Sequence, residues 1–181
     1  MCKTLILTGW GWKEYPVAAA LALKAVGGDA DIVGMSRRRL PEFLESYSQK
    51  HKRIILIGVS LCGDEARLVK ALSELKKRNV KVVWISSIDF TPSQKGSISP
   101  YLTAKDCTEK SLLDVVADFF NVDATSLAPY AVEAKKVSSF VKSWQELVDA
   151  AMFMYRNYQD EESYAKAISY LASGVTENAW D

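Results

Sequence analysis

An apolar run rich in β-branched residues occupies positions 53–61, which read Arg-Ile-Ile-Leu-Ile-Gly-Val-Ser-Leu. Apolar and polar positions do not alternate within it. A strand that is wet on one face alternates, whereas a strand covered on both faces is apolar throughout. The run therefore predicts the central parallel strand of an α/β sheet. Functional groups are expected at its C-terminal end, residues 58–64.

Shorter apolar runs alternate with helical patterns on both sides of this strand. Further strands are predicted at residues 5–8, 31–35 and 80–85. Helices are predicted between the strands, at residues 16–26, 40–49 and 65–78. The order β-α-β-α-β-α-β predicts an α/β fold, with a doubly wound, mostly parallel sheet of about four to five strands and helices on both faces.

The pattern changes after the fourth predicted strand. Residues 86–103 predict a long polar loop, and a helix follows at 111–120. From residue 129 onward the chain predicts helices, the last of them capped by Asp160 and ended by Gly174. We expect three parts: an α/β core over 1–125, a helical C-terminal part over 126–174 packed on the same domain, and a tail or the start of a linker over 175–181.

Composition narrows the class of protein. The chain has 181 residues with 23 basic and 22 acidic side chains, and its net charge of +1 does not favour nucleic acid as a partner of this domain. Its three cysteines are widely spaced and odd in number, which favours a reducing compartment. No apolar segment approaches the ~20 residues that span a membrane. We therefore expect a soluble cytoplasmic protein with no membrane partner.

Ligands of open α/β sheets bind beyond the C-terminal ends of the strands. The first such stretch offers Trp10, Trp12 and Lys13 in a glycine-containing loop that lacks both the P-loop and the GxGxxG pattern. The tryptophans either stack on a ligand base or cover the end of the sheet, which is the commoner role. Arg37 and Arg38 either hold phosphate or form a solvated helix start, where cations are unfavourable.

Two further strand ends carry polar candidates for ligand binding. Ser60 and Asp64 follow the central strand, and Asp64 also suits the cap of the next helix. Ser86, Ser87 and Asp89 follow the fourth strand, where they either bind a sugar or phosphate or cap the turn. A small phosphate-containing molecule is therefore the expected ligand.

The sequence predicts no catalytic residue, metal site or cofactor. Cys62 would need a base, but the only histidine, His51, precedes the central strand and belongs at the opposite edge of the sheet. One histidine also argues against a multi-histidine zinc site. Apolar residues at 152–155 lie on every side of the long C-terminal helix, which predicts either full burial or a homodimer through the C-terminal helices.

The order of elements over residues 3–120 resembles the DHH phosphoesterase superfamily. That family begins with a strand, an aspartate-glycine loop and an alanine-rich helix, which residues 6–9, 13–16 and 17–23 match in layout. Its next apolar strand, matched by residues 54–57, ends in a metal-binding aspartate. Its Asp-His-His motif follows a strand matched by residues 82–85, and the helix after that motif is matched by residues 111–120.

This sequence departs from the family at every manganese ligand. The corresponding positions hold Lys13 or Tyr15, Gly58 and residues 86–88, none of which supplies the carboxylates and imidazoles that two-metal hydrolysis needs. The resemblance implies a degenerate copy that serves as a ligand sensor, regulatory module or protein-interaction domain. It also implies a context such as the N-terminal part of a larger bacterial regulator, for example an AAA+ transcription activator.

Two alternatives remain open at this point. One is an active phosphoesterase or hydrolase that acts on a nucleotide or phosphorylated small molecule through Ser60, Asp64, Asp89 and the arginines. The other is an oligomerisation module built on the C-terminal helices.

Overall fold

A computed structural model describes residues 4–48, 50–61, 64–86, 90–107, 110–131 and 139–174. Strands and helices alternate through most of this part of the chain. The strands are β1 (Thr4–Thr8), β2 (Ala30–Gly34), β3 (Arg53–Ile57), β4 (Lys81–Ser86) and β5 (Ala104–Cys107). The helices are α1 (Glu14–Ala25), α2 (Leu40–Glu45), α3 (Glu65–Lys77), α4 (Pro92–Ile98), α5 (Leu112–Phe120), α6 (Ala128–Ala131), α7 (Ser139–Tyr158) and α8 (Glu161–Ser173).

The five strands form one parallel sheet in the order β2-β1-β3-β4-β5. β3 lies in the centre between β1 and β4, as its apolar run predicted. Thr8 is opposite both Gly34 and Ile57, and Ile57 is opposite Ile85. The C-terminal ends of four strands therefore lie level at one edge, and the predicted α/β fold is confirmed.

Side chains of the central strand alternate between two hydrophobic cores. Ile55 and Ile57 belong to the core that includes α1 and α5, whereas Ile54 and Leu56 belong to the core that includes α2 and α3. All four are fully buried. Burial of one such side chain contributes about 1.5–3 kcal/mol. The run is apolar throughout because helices cover both faces of the sheet.

Helix α1 is buried on nearly every side, and its small residues make this possible. Residues 16–23, four of them alanine, are all buried. Short side chains let other helices approach closely, and α1 contacts both α5 and α8. Helix α8 also contacts α7 and β2. As predicted, Asp160 caps α8 by accepting a hydrogen bond from the Ser163 amide (3.0 Å), and Gly174 ends it.

The prediction of a long polar loop over residues 86–103 is wrong. Within this segment the chain forms α4 and the 3-10 turn Ser99–Tyr101, and β5 follows directly at the edge of the sheet. Thr91 and Gln94 form a capping box that starts α4, with Pro92 in the first turn. Sparse apolar spacing hid this helix, since Ile98 is its buried residue. The short sequence of β5 likewise carries no alternating pattern.

Two predicted elements are shorter in the structure. Gly58 has a φ of +63°, so β3 ends at Ile57 rather than continuing to residue 61. Helix α2 ends at Glu45 rather than at residue 49, because Tyr47 turns inward and its hydroxyl accepts a hydrogen bond from the His51 amide (2.9 Å). Among the helices described here, none has both the length and the apolarity needed to cross a bilayer.

Candidate ligand-binding site

A cavity of about 510 Å³ opens beyond the C-terminal ends of β1, β2 and β3. Three segments line it: the loop after β1, the turn between β2 and α2, and the loop after β3. Five of the sequence-predicted ligand residues meet there, namely Trp10, Trp12, Arg37, Arg38 and Ser60. This edge of the sheet is where parallel α/β folds bind ligands.

The cavity loops begin where the strand ladder ends. The Gly9 amide donates to the Ile57 carbonyl (3.0 Å), and the Gly58 amide donates to the Ile85 carbonyl (3.0 Å). Beyond these bonds the chains separate, and the ring of Tyr15 lies against both glycines. A Cβ on Gly9 would be 2.6 Å from Cδ2 of Tyr15, and one on Gly58 would be 2.8 Å from its Cδ1. Glycine at both positions therefore leaves room for this ring.

The loop after β3 is fixed from the neighbouring strand. Trp84 on β4 is fully buried, and its indole N–H donates to the Val59 carbonyl (2.8 Å). This bond holds the backbone beside Ser60, whose side chain faces the cavity region. A buried indole N–H needs an acceptor, so this hydrogen bond satisfies Trp84 in the core and also fixes the backbone of the cavity wall.

The two tryptophans of the first loop have different surroundings. Trp10 is half-buried, with its ring 5.8 Å from that of Tyr155 and 5.4 Å from the guanidinium carbon of Arg156. Trp12 is 70% exposed at the cavity. Trp10 therefore covers part of the sheet end, and Trp12 presents a face on which a planar ligand could stack.

The three consecutive arginines separate into two groups. Arg37 and Arg38 are exposed at the cavity, and neither forms an ion pair with any residue that the structure describes. Arg39 instead donates to Oε1 of Gln159 (3.0 Å) and lies 3.8 Å from the Glu161 carboxylate. The first two guanidinium groups are therefore available to an anionic ligand, which they can hold through charge-assisted hydrogen bonds.

Other predicted ligand residues lie apart from the cavity lining. Lys13 forms an ion pair with Asp149 (2.8 Å) on α7. Asp64 caps α3 by accepting a hydrogen bond from the Arg67 amide (3.0 Å). Ser86 is buried at the end of β4. Ser87 and Asp89 lie outside the described residues.

Sequence reasoning missed four side chains of the cavity lining, those of Tyr15, Met35, Ser36 and Val59. Tyr15 is in the first turn of α1, and Met35 is the first residue after β2. Burial, and to a lesser extent the Glu14 carboxylate, raises the pKa of Tyr15, so its hydroxyl remains protonated at neutral pH. Met35 is the last residue of the strand predicted at residues 31–35, and an apolar strand residue gives no signal for ligand binding.

Three of the positions that correspond to manganese ligands in the resembling family, 13, 15 and 58, hold neither a carboxylate nor an imidazole, and positions 87 and 88 lie outside the described residues. Lys13 is engaged by Asp149, and Tyr15 is a neutral phenol against the glycines. A Cβ on Gly58 would be 2.8 Å from Cδ2 of Leu112, so a carboxylate there would require the neighbouring side chains to move. Within the described segments, no three His, Cys, Asp or Glu side chains are grouped so that they could hold a metal ion.

The single histidine lies at the other edge of the sheet, as its place in the sequence predicted. His51 is buried, with Nδ1 2.7 Å from the Tyr47 hydroxyl and Nε2 2.7 Å from Oδ2 of Asp31. Asp31 is in β2, opposite Leu5 near the start of β1. The imidazole is therefore part of the fold's support and is remote from the cavity.

The chain resembles known proteins to a limited degree in structure but not in sequence. No protein-family model matches the chain, and no curated protein matches its sequence. The crystal structure of a DNA-binding response regulator of the LuxR family from Staphylococcus aureus is similar over 67% of this chain and 98% of its own, at 16% identity and a TM-score of 0.38. The crystal structure of exonuclease RecJ bound to manganese is similar over 94% of this chain, which spans 43% of the RecJ chain, at 10% identity and a TM-score of 0.43. Both TM-scores are below 0.5, so neither likeness carries an argument about function.

Proposed function

We propose that this chain is a non-catalytic regulatory domain that senses a small phosphate-containing ligand on a degenerate DHH-like scaffold. One observation carries the proposal. The cavity combines stacking and anion-binding side chains, while the positions that would supply metal ligands in the resembling family hold a paired lysine, a phenol and a glycine. The site is therefore equipped for binding, and within the described residues no group of carboxylates or imidazoles is placed as two-metal hydrolysis requires.

The cavity's chemistry favours a nucleotide-like ligand. Arg37 and Arg38 bring two guanidinium groups to the lining, and the hydroxyl of Ser60 adds a neutral hydrogen-bonding group. Trp12 provides a planar apolar face, and stacking on such a face is worth about 1–3 kcal/mol per base. Each hydrogen bond from a charged donor contributes about 1.5–3 kcal/mol. Phosphate and a planar ring together therefore match the lining better than either alone.

The geometry around Gly58 supports the loss of hydrolytic chemistry. Tyr15 and Leu112 fill the space that a side chain at this position would need. A positive φ adds strain for any residue with a Cβ. An aspartate at position 58 would require the core to move, so the present packing favours a site without a metal-binding carboxylate at this position.

The proposed domain boundaries, compartment and partners follow from the sequence. We place an α/β core at 1–125, a helical part at 126–174 and a tail or linker start at 175–181. The scattered cysteines favour the cytoplasm. Exposed Phe153 (58%) and Tyr170 (53%) on α7 and α8 support a homodimer through these helices. A role in signalling, such as control of a bacterial transcription activator, fits a domain that binds a ligand without turning it over.

Binding measurements on purified protein test the proposal. Adenosine monophosphate, inorganic phosphate and adenosine serve as probes in isothermal titration calorimetry. We expect the monophosphate to bind most tightly, and the double substitution Arg37→Ala/Arg38→Ala to weaken it by about tenfold or more. Lys52→Ala/Lys70→Ala removes the same charge from exposed positions outside the cavity lining and should leave affinity unchanged.

Hydrolysis is measured separately on the same purified protein. Manganese is added with short oligonucleotides and cyclic dinucleotides as substrates, and the products are quantified. Turnover that is abolished by substitution of Gly58 or Ser86 would show an active phosphoesterase and overturn the proposal. Absence of binding by all three probes would equally remove the ligand-sensing role.

A further inference from the structure

We propose that the junction of α7 and α8 positions both walls of the cavity, so that ligand binding and the docking of these helices are coupled. The inference rests on the proposed function for the identity of the ligand. The positioning of the cavity walls by α7 and α8 can be tested without a ligand. Residues 155–164 contact the loop after β1 and the segment between β2 and α2. These are the two segments that carry the stacking and anion-binding side chains.

Arg156 is the first of these links. Its Nη2 donates to the carbonyls of Trp10 (2.9 Å) and Gly11 (2.8 Å), and its guanidinium lies over the Trp10 ring. Both hydrogen bonds have a charged donor, which makes them stronger than bonds between neutral groups. One side chain near the end of α7 therefore fixes two consecutive peptide units and the ring of Trp10.

Two buried tyrosines form the second link. The Tyr164 hydroxyl, on α8, donates to the Gly9 carbonyl (2.6 Å), and the Tyr155 hydroxyl, on α7, donates to the Gly34 carbonyl. Their rings lie 5.3 Å apart. Gly9 follows β1 directly and Gly34 ends β2, so the pair holds the starting points of both cavity segments.

Arg39 forms the third link, from the segment between β2 and α2 to the turn between α7 and α8. It follows the ligand candidates Arg37 and Arg38 in sequence, and it reaches across to Gln159 and Glu161 at the turn between α7 and α8. The arginine segment and the tryptophan loop therefore share one anchoring region. A displacement of that region breaks contacts to both segments together, since they have these partners in common.

Coupling of this kind is reciprocal. A ligand that binds only when both walls are in place stabilises the docked helices, and docking raises the affinity for the ligand by the same factor. Arg156 is then a positioning residue, because its side chain acts on the cavity through the Trp10–Gly11 backbone. The helix pair would carry the state of the cavity to whatever the C-terminal part contacts.

Hydrogen–deuterium exchange with and without adenosine monophosphate tests the inference. In the free protein, Arg156→Gln should raise exchange in residues 9–12 and 34–39. Arg156→Lys, which keeps the charge, should restore part of the protection. Lys166→Gln is a matched control, because it removes a cation from α8 that pairs only with Glu162 among the described ion pairs. It should leave both segments unchanged.

The ligand arm has its own expected results. Adenosine monophosphate should slow exchange in residues 153–164 as well as in the cavity loops, and Arg156→Gln should weaken its binding by about fivefold. Thermal unfolding confirms that each variant is folded, and Tyr164→Phe provides a second variant that removes one hydrogen bond and no charge.

Distinct outcomes separate the two proposals. Exchange of residues 9–12 and 34–39 that is unchanged in ligand-free Arg156→Gln and in ligand-free Tyr164→Phe overturns the coupling, whether or not the wild-type protein binds a ligand. Ligand protection confined to the cavity loops also overturns it. Failure of the wild-type protein to bind any probe removes the proposed function, while increased exchange in free Arg156→Gln still supports the positioning role.

Discussion

The ring of Tyr155 occupies the space that a side chain at Gly34 would fill. A Cβ built on Gly34 would lie 2.6 Å from Cζ of Tyr155, and the Tyr155 hydroxyl donates to the carbonyl of the same glycine. The last residue of β2 and the C-terminal half of α7 are thus fitted to each other. Tyr155 is almost completely buried, so its ring has little freedom to move away.

Gly34→Ala is expected to destabilise the protein by about 1–3 kcal/mol, because a methyl group there overpacks the contact. Urea unfolding followed by circular dichroism measures the change. Combining it with Tyr155→Leu should cost less than the sum of the single substitutions, since the smaller side chain relieves the clash. Strict additivity would show that the two residues do not compete for this space.

Gly58→Asp introduces the residue type that the resembling family has at this strand end. We expect it to lower the free energy of unfolding by about 1–3 kcal/mol without creating manganese binding, because Tyr15 and Leu112 occupy the space and the φ is +63°. Gly96→Ala is the control, since a Cβ in α4 meets nothing within 4 Å, and it should stabilise by about 0.5–1 kcal/mol. Tight manganese binding by a stable Gly58→Asp protein would contradict this account.

Trp12 and Trp10 should differ in their effects on stability. Trp12→Ala is expected to change the free energy of unfolding by less than about 0.5 kcal/mol, because the side chain is largely exposed. Trp10→Ala should cost more, since it removes the contacts with Tyr155 and Arg156. Both should weaken binding of adenosine monophosphate, measured by calorimetry. Equal losses of stability would show that Trp12 is part of the core.

Most of the fold was predictable because the sheet is covered on both faces. The continuous apolar run of β3 and the alanine-rich α1 carry that signal in their own residues. Helix α4 and strand β5 were missed because they lie at the edge, where a capping box and hydrogen bonds to one neighbour suffice. Their formation depends on the finished sheet more than on local apolar spacing.

The cavity was only partly predictable for a related reason. Strand ends can be read from the chain, and they led to Arg37, Arg38 and Ser60. The contacts that fix the tryptophan and arginine segments come from residues more than 100 positions away, such as Arg156 to Trp10 and Arg39 to Gln159. Lys13 looked equally suited to a ligand, and its partner Asp149 became visible only in three dimensions.

The hydrogen bonds around His51 predict a structural role at the opposite edge of the sheet. The Tyr47 hydroxyl accepts from the His51 amide and lies 2.7 Å from Nδ1, and both side chains are buried. Tyr47→Phe removes the partner of two polar groups at once, and we expect a loss of about 1–3 kcal/mol in urea unfolding. Ligand affinity should remain unchanged, because this edge is remote from the cavity. A loss of binding in a fully folded variant would contradict that separation.

Acid should weaken the start of α8. Hydrogen bonds from Ser163, the backbone amide first, lower the pKa of Asp160 below its ordinary value of 3.8. A folded-state pKa below the unfolded one means that the ionised cap stabilises the fold above the unfolded pKa, and that this contribution is lost as the pH falls through the lower folded value. The stability of the wild-type protein should therefore fall below about pH 4 in part through this group.

Asp160→Asn isolates the effect, because the amide oxygen can still accept from the Ser163 backbone but the side chain cannot ionise. The difference in urea midpoint between wild type and variant should be constant above about pH 5 and should shrink in more acidic solution. A difference that is the same at all pH values would show that the charge of Asp160 does not contribute. Because Tyr164 lies in the first turn of α8 and holds the Gly9 carbonyl, the protection of amides in residues 9–12, relative to intrinsic exchange at each pH, should fall over the same acidic range.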